Sequence, residues 1–276
     1  MDIAKVTPAI GAEITGVDLT ARLTDMVSEG LYQALLEHQV IFLRDTDITP
    51  ETHMALAASF GEIDEPHPLY PHVDGFDRIV KLENDSGAPP DTNSWHTDLT
   101  FKAQQPFASI LVARVVPEVG GDTMWSSCYA AYDRLPAGMK ADLDGLSAVH
   151  DMGDFRNSFD ASPEALNGGM TRFGHNFRPL IVEHPVTGRK FLNYNEAFVT
   201  HIIGLTTNES NGLRVWLANH MNKPEDQIRW RWRAGDLAIW DNRCTMHYAV
   251  ADYLPAYRCM NRITVVRDRR EAIQMK

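Results

Sequence analysis

Hydrophobic and polar positions along the chain follow a helical spacing in only a few places. Apolar residues four apart predict a helix over residues 24–38, and Thr49 followed by Pro50 is typical of the start of a second helix ending near residue 60. A further helical pattern covers about residues 127–146, and a capping-box pattern at Thr206 and Glu209 predicts a late helix. We therefore expect a small number of helices around another kind of core.

Short runs of apolar and β-branched residues predict that this core is made of strands. The predicted strands cover residues 39–45, 78–82, 107–116, 120–125, 228–233, 237–242 and 257–266, with a hairpin at 181–195. Antiparallel strands with covering helices fit a mainly β, jelly-roll-like double sheet better than a parallel wound sheet. We expect one domain over residues 1–276, with irregular active-site inserts at about 62–94 and 151–178.

Composition and charge limit the classes of function. Of the 276 residues, 44% are hydrophobic and 23% are charged, which is ordinary globular composition. The net charge of −11 argues against a nucleic-acid-binding module, although it permits a small anionic substrate. The alternation of Arg and Trp over residues 229–233 fits a core strand with a solvated outer face.

The chain shows no signal for export or for membrane insertion. Three cysteines are too few and too odd in number for a disulfide framework, and the first residues lack a secretory pattern. The apolar stretch at 109–116 is interrupted by Arg114 and falls short of the roughly 20 residues that a span requires. We expect a cytoplasmic protein with no membrane partner.

The sequence also contains a candidate metal site. His96 and Asp98 are two residues apart, so on a strand they would face the same side, and His247 can supply a third ligand if a sheet folds back. Two imidazoles and one carboxylate form the facial triad of non-haem Fe(II) oxygenases. A catalytic zinc site uses the same ligand types, so these residues alone leave iron and zinc both open.

Two arginines near the C-terminus indicate that anions bind close to this metal. Arg258, Met260 and Arg262 alternate with other residues, so on a strand both arginines share a face. Two cations directed into one interior are costly unless anions meet them, and guanidinium groups suit carboxylates, sulfonates and phosphates. Together with the metal triad, this pattern favours a functional site over an exposed edge strand.

Five sequence runs span nearly the whole chain in a distinctive order and spacing, and three of them contain these residues. The runs are WHTDLTF, GGDTMW, RWRWRAGDLAIWDNR, HYAVADYLP and RCMNRIT. Together they resemble the taurine dioxygenase family of Fe(II)- and 2-oxoglutarate-dependent oxygenases. The resemblance implies a double-stranded β-helix, that is, a cupin-like jelly roll, which uses Fe(II), 2-oxoglutarate and O2. It implies that His96, Asp98 and His247 hold the iron, and that Thr123 and Arg258 hold the distal carboxylate of 2-oxoglutarate.

Within the family, the chain looks most similar to the taurine-cleaving members. The resemblance implies substrate contacts from His67, Tyr70, Thr92, Asn93, Phe155, Phe198 and Arg262. Arg262 matches the sulfonate-binding arginine, and the HPLY sequence at 67–70 matches the substrate loop. In one departure, Thr92 stands where those members have asparagine, so either Thr92 or its neighbour Asn93 is expected to contact the head group.

The resemblance implies a specific reaction. We expect hydroxylation of the carbon next to a sulfonate, with taurine the expected substrate, releasing sulfite and aminoacetaldehyde together with succinate and CO2. Alternatives within the family are another alkanesulfonate, an alkyl sulfate ester or an aryloxyalkanoate. Alternatives of a different class are a zinc hydrolase and a non-catalytic metal-binding jelly roll. The resemblance also implies a homo-oligomer, either a dimer or a tetramer.

Overall fold

Two mainly antiparallel sheets form the frame of the molecule, as seen in a computed structural model that describes residues 1–67, 70–90, 93–152 and 174–271. The strands of the large sheet are β1 (Asp2–Lys5), β2 (Ala12–Thr15), β3 (Val40–Leu43), β4 (Gly61–Ile63), β5 (His72–Val73), β6 (Phe76–Asn84), β7 (Ala108–Val115), β15 (Leu237–Asp241) and β17 (Arg258–Asp268). Their order is β1-β2-β3-β15-β7-β17-β6-β5, with β4 also paired to β17 and with β2 and β3 parallel. The small sheet has the order β14-β8-β16, from β8 (Thr123–Ser127), β14 (Gln227–Trp230) and β16 (Thr245–Ala249).

The remaining described elements cover the outside of this frame. The helices are α1 (Asp25–His38), α2 (Pro50–Phe60), α3 (Cys128–Asp133), α4 (Ala137–Leu143) and α5 (Thr207–Met221). Further strands are β9 (Ser147–His150), β10 (Asn176–Pro179), β11 (Ile181–Glu183), β12 (Lys190–Leu192) and β13 (Val199–Ile202). Strands β10, β9 and β13 form a three-stranded sheet, and β11 pairs with β12 as the predicted hairpin. The architecture is the predicted mainly β jelly roll, a double-stranded β-helix with helical cover.

An aromatic core joins the two main sheets. Phe42 of the large sheet stacks on Trp230 of the small sheet with ring centroids 4.0 Å apart, and its edge meets Trp125 at 5.3 Å. Trp230 and Trp232 are buried, whereas Arg229 and Arg231 beside them are exposed. The Arg–Trp alternation is therefore a core pattern, as predicted, although regular strand pairing ends at Trp230. The metal and anion residues lie between the same two sheets.

Helix starts follow the sequence signals, but one predicted helix is divided. The side chains of Thr24, Thr49 and Thr206 each accept a hydrogen bond from the first turn of their helix. The helix predicted over 127–146 is two helices, α3 and α4, because Pro136 precedes α4. A proline cannot donate a backbone hydrogen bond and disfavours helical geometry in the residue before it.

The two predicted inserts contain more regular structure than their sequences indicate. Residues 62–94 include β5 and the nine-residue strand β6, which is longer than the predicted 78–82 because it pairs with β17 from Val80 to Asn84. Strand β10 lies in the second predicted insert and pairs with β9, and residues 153–173 of that insert lie outside the described part. Pairing with distant strands, rather than local pattern, stabilises these segments. None of the helices in the described part of the chain combines the length and apolar character needed to cross a bilayer.

A buried ionic network fixes the turn between β15 and β16. Asp241 accepts hydrogen bonds from the guanidinium of Arg243 at 2.7 and 3.0 Å and from His184 Nε2 at 3.0 Å. Arg243 also reaches Asp268 at 3.1 Å, and Asp268 accepts from the Tyr32 hydroxyl at 2.8 Å. The network therefore ties this turn to the end of β17 and to helix α1.

We predict that Arg243→Met lowers the free energy of unfolding of the metal-free protein by about 3–5 kcal/mol, because two buried carboxylates lose their cation. Urea unfolding followed by circular dichroism measures the change. Arg229→Met is the control: Arg229 is half exposed and pairs with Asp122 at 2.7 Å, so its loss should cost less than about 1 kcal/mol. Equal effects of the two substitutions would contradict a stabilising role for the buried network.

Candidate active site

A two-way backbone bridge places His96 opposite His247. The N–H of His96 donates to the carbonyl of His247 at 3.0 Å, and the N–H of His247 donates to the carbonyl of His96 at 2.8 Å. Directly opposed residues of an antiparallel pair direct their side chains to the same face. The two imidazole rings consequently lie with their centroids 4.0 Å apart.

Asp98 joins the two histidines from a turn rather than from a strand. Regular pairing in this segment is limited to the bridge at His96, Asp98 begins a turn, and Leu99 has a φ of +52°. The two residues therefore do not share a strand face as the sequence argument assumed, although the predicted convergence of His96, Asp98 and His247 is present. Asp98 Oδ1 lies 3.7 Å from Nε2 of His96 and 3.7 Å from Nε2 of His247.

These three ligand atoms fit a metal ion. They lie within 4.8 Å of one another, and an ion about 2.1 Å from each would separate them by about 3–4 Å. His96 Nδ1 donates to the carbonyl of Ser94 at 2.8 Å, which leaves the Nε2 lone pair for a ligand bond. Burial and the neighbouring His96 ring lower the pKa of His247 to about 3, so this imidazole is neutral near pH 7. Neutral imidazole is the form that binds metals.

The carboxylate of Asp98 supplies the negative charge. Burial opposes its ionisation, but Arg262, His247 and His96, with a hydrogen bond from Ser109, outweigh burial and hold the pKa of the carboxyl well below its usual range. Asp98 is therefore an anion at neutral pH. Two imidazoles and one carboxylate, grouped on one side, are the donor set of non-haem Fe(II) sites.

A cavity of about 130 Å³ opens beside this triad, and both predicted arginines line it. Arg258 is buried and its Nε donates to the carbonyl of Gly121 at 3.1 Å. Among the described residues, no carboxylate lies within 4 Å of the Arg258 guanidinium, so it is available to an anion from outside the chain. Arg262 Nη1 lies 3.5 Å from Asp98 Oδ1. The arginine pattern on β17 thus brings two cations to one cavity, as predicted.

Thr123 lies on β8, next to the residues that position Arg258. Its buried hydroxyl accepts a hydrogen bond from Trp232 Nε1 at 3.0 Å, which leaves the hydroxyl proton free to be donated. Thr123 is opposite Ala249 of β16, which lines the cavity, but Thr123 itself is not among the lining residues. The contact of Trp232 with Thr123 was not foreseen from the sequence, because it joins two separate motifs.

His67 and Tyr70 line the cavity together. Their ring centroids are 4.6 Å apart, and the backbone N–H of Tyr70 donates to His67 Nδ1 at 3.3 Å. Burial and the charge of Arg262 lower the pKa of His67 to about 3. The His67 ring is therefore neutral near pH 7, with its proton on Nε2 because Nδ1 accepts.

The other predicted substrate contacts have different outcomes. Phe198 is buried, lines the cavity and meets the ring of Phe101 edge-on at 5.1 Å. Asn93 is exposed and is not among the lining residues, so the structure does not bring it into the site. Thr92 and Phe155 lie outside the described residues.

Several residues near the site carry no sequence signal of their own. Asn242 and Ser109 both form hydrogen bonds to Asp98, and Lys81, Glu83 and Tyr253 line the cavity. Asn242 belongs to the AIWDNR run, which indicated family resemblance but not a contact with Asp98. A pairing between side chain and distant backbone depends on tertiary structure and leaves no periodic pattern.

A second buried triad, of His184, Asp241 and Cys244, has ligand-type atoms equally close together. Here the nitrogens are already used: His184 Nδ1 accepts from the N–H groups of Val186 and Thr187, and Nε2 donates to Asp241. Burial is the main reason that the pKa of the Cys244 thiol lies well above its ordinary value, so the thiol stays protonated. These groups form a structural hydrogen-bonded cluster rather than a metal site.

The fold and the site together define a non-haem Fe(II)- and 2-oxoglutarate-dependent dioxygenase, with O2 as the oxidant. The model of the family described as "Taurine catabolism dioxygenase TauD, TfdA family" matches residues 2–264, and the chain belongs to this family. This membership sets aside the zinc hydrolase and the non-catalytic jelly roll.

Individual relatives are similar over almost the whole chain. An alpha-ketoglutarate-dependent sulfate ester dioxygenase of Pseudomonas putida is 38% identical over 96% of this chain and 89% of its own length. An alkylsulfatase of Acinetobacter baylyi is 36% identical over 96% of this chain and 84% of its own length. The crystal structure of a taurine dioxygenase from Burkholderia xenovorans superimposes with a TM-score of 0.83 at 35% identity, covering 97% of this chain and 89% of that one.

We predict that Mn(II), used as a redox-stable probe, binds one ion per chain and that His96→Ala weakens this binding by more than about 100-fold. Loss of a direct ligand should exceed the roughly 10–100-fold effect of outer contacts. Calorimetric titration of the metal-free protein measures the affinity. Cys244→Ala, in the second triad, should leave it unchanged, and the reverse pattern would assign the ion to His184, Asp241 and Cys244.

Proposed function

We propose that this dioxygenase hydroxylates the carbon that carries a sulfonate or sulfate-ester group in a small alkyl substrate. The observation that carries the proposal is the position of Arg262, whose guanidinium reaches Asp98 while lining the open cavity beside His67 and Tyr70. A cation at this point can hold an anionic head group next to the metal. The carbon attached to the head group would then be the one nearest the oxidising centre.

In this proposal, the residues have distinct roles. His96, Asp98 and His247 hold Fe(II), and Arg258 with Thr123 holds the distal carboxylate of 2-oxoglutarate. The support is a buried guanidinium with no carboxylate partner among the described residues, near a threonine whose hydroxyl proton is free. When bound, Fe(II) couples the oxidative decarboxylation of 2-oxoglutarate by O2 to oxidation of a substrate C–H bond.

The head group is oriented by two donors. Arg262 Nε is buried without a hydrogen-bond partner among the described residues, and an unmet buried donor is costly unless a ligand accepts from it. His67 donates from Nε2, because its Nδ1 accepts from Tyr70. Sulfonate and sulfate oxygens accept both bonds, and this positioning fixes which C–H bond faces the metal. Phe198 packs against the rest of the substrate, whereas Thr92 and Phe155 stay as proposed contacts from the resemblance alone.

The charges lining the cavity favour a substrate with an uncharged tail. Among the described lining residues the carboxylates are Asp98 and Glu83, and Glu83 already pairs with Lys81 at 3.0 Å and accepts from Tyr257. A tail ammonium, as in taurine, therefore has no free carboxylate partner there. An alkyl sulfate ester or alkanesulfonate is the substrate class we propose, and the similarity to the sulfate ester dioxygenase supports it.

Taurine is the second candidate. It is supported by the sequence at 67–70, whose His67 and Tyr70 line the cavity next to Arg262, and by the similarity to the taurine dioxygenase structure. With taurine the products would be sulfite and aminoacetaldehyde, and with an alkyl sulfate they would be sulfate and an aldehyde. Succinate and CO2 form in both cases.

Location and assembly belong to the same proposal. The three cysteines are free and buried, which suits a reducing compartment, and we propose that the enzyme is cytoplasmic.

The family resemblance supports a homo-oligomer, either a dimer or a tetramer. Light scattering after size-exclusion chromatography gives the number of chains, and a monomer at working concentration would contradict this part of the proposal.

We predict that hexyl sulfate and hexanesulfonate are turned over with a kcat/KM at least about tenfold above that of taurine, because burial of an unpaired ammonium costs more than about 1.4 kcal/mol. Succinate formation measures turnover, while sulfite and sulfate identify the bond broken. Preference for taurine would support the second candidate. Faster turnover of phenoxyacetate than of every sulfur compound would contradict both.

We also predict that the two arginines separate the two organic ligands. Arg258→Gln should weaken 2-oxoglutarate binding by about 2–5 kcal/mol, because a buried charge pair is lost, and Arg262→Gln should raise the KM of the sulfur substrate while sparing 2-oxoglutarate. Steady-state kinetics with each substrate varied in turn measures both effects. Arg231→Gln, at an exposed arginine, is the control. Exchanged effects would mean that the two roles are reversed.

A further inference from the structure

We propose that Asn242 and Ser109 are positioning residues that hold the Asp98 carboxylate in its metal-binding orientation. The inference rests on the proposed role of Asp98 as a metal ligand. Asn242 forms hydrogen bonds with the backbone of Asp98, and Ser109 donates a hydrogen bond to its carboxylate. Neither residue lies among those that line the cavity.

Asp98 needs such support because regular strand pairing does not reach it. The backbone bridge holds His96, and Thr97 donates its hydroxyl to the carbonyl of Thr245 at 3.0 Å. The chain then leaves the strand direction, and Leu99 adopts a φ of +52°. The backbone of a ligand in a turn, next to a residue in the left-handed region, must be held by contacts outside the sheet ladder.

The carboxamide of Asn242 supplies those contacts. Its Oδ1 accepts from the N–H of Asp98 at 2.8 Å, and its Nδ2 donates to the carbonyls of Asp98 at 3.0 Å and Pro106 at 3.2 Å. The side chain thus pairs with Asp98 as the peptide group of an adjacent strand would. It is fully buried, and the arrangement needs a donor and an acceptor on one short side chain, which asparagine provides.

Ser109, on β7, fixes the other end of the residue. Its hydroxyl donates to Asp98 Oδ2 at 3.1 Å, so Oδ2 is occupied and Oδ1 faces the Nε2 atoms of His96 and His247. Rotation of the carboxylate about its own axis would break this bond. Ser109 is fully buried in the centre of the large sheet, so strand pairing and packing fix the position of its hydroxyl.

The buried ionic network restrains the turn that carries Asn242. Asp241 and Arg243, on either side of Asn242, belong to the network with His184 and Asp268, and the N–H of Asn242 donates to the carbonyl of Phe107 at 2.8 Å. The turn that carries Asn242 is consequently fixed before any metal binds. A ligand held in advance loses less freedom when the ion arrives.

Mn(II) binding to the metal-free protein, without 2-oxoglutarate or substrate, tests the inference. Asn242→Asp replaces a donor that faces two carbonyls with an acceptor, and Ser109→Ala removes the bond to Oδ2; each should weaken Mn(II) affinity by about 10–100-fold. The paramagnetic resonance signal of free Mn(II) measures it. Urea unfolding of the same metal-free samples reports stability separately.

Two buried side chains that donate to backbone carbonyls away from the site serve as matched controls. Asn193→Asp loses a bond to the carbonyl of Pro179, and Ser126→Ala loses one to the carbonyl of Met221. Both should lower stability without changing Mn(II) affinity. Should the controls weaken Mn(II) as strongly as their counterparts, the effect is general destabilisation and the inference is wrong.

The remaining outcomes separate this inference from the proposed function. If the wild type binds one Mn(II) and both Asn242→Asp and Ser109→Ala bind it equally well, the positioning role is overturned. If Asp98→Ala binds Mn(II) like the wild type, the proposed ligand role itself fails. If Asn242→Asp does not fold, Ser109→Ala against Ser126→Ala decides the result.

Discussion

The pair of backbone hydrogen bonds between His96 and His247 is the constraint on which the rest of the site depends. It joins two segments far apart in the chain and puts both imidazoles on one face. Because side chains alternate along a strand, a shift of one residue in this pairing would direct one imidazole away from the other. The register of β16 on β8, from Thr245 to Ala249, holds His247 in place, and the hydrogen bond from the Thr97 hydroxyl to the carbonyl of Thr245 holds the His96 segment against β16. Sheet pairing on the small sheet is thus the first requirement for metal binding.

Charge balance is the second requirement. Asp98 is an anion that faces the cation of Arg262, whereas Arg258 reaches the same cavity without an ion-pair partner among the described residues. Burial of such a cation is costly when it stands alone and becomes favourable when an anion meets it. Burial lowers the pKa of Arg258, which reflects that cost. The cavity is therefore electrostatically suited to acidic ligands, and this property follows from two residues four apart on one strand.

Sequence patterns revealed the parts of this molecule that depend on local chemistry. Helix starts at Thr49 and Thr206 and the buried face of the Arg–Trp alternation are set within a few residues, so they could be predicted. The division of the predicted helix into α3 and α4 also has a local cause, Pro136, but the helical pattern on both sides of this proline hid it. By contrast, the turn at Asp98 and the contact of Asn242 with it depend on tertiary packing. No spacing in the sequence encodes those contacts, so only the structure shows them.

The same distinction explains why reaction class is easier to infer than substrate. His247, Thr123, Arg258 and Arg262 lie on paired strands, where register fixes their direction, and these are the residues proposed for the metal, 2-oxoglutarate and the anionic head group. His67 and Tyr70 line the cavity from outside the strands, so strand register does not fix their direction. A jelly roll can therefore keep its chemistry while such segments change the tail it accepts. Head-group recognition by Arg262 is common to sulfonates and sulfate esters, so the groups around the tail, such as Glu83 already paired with Lys81, must discriminate between them.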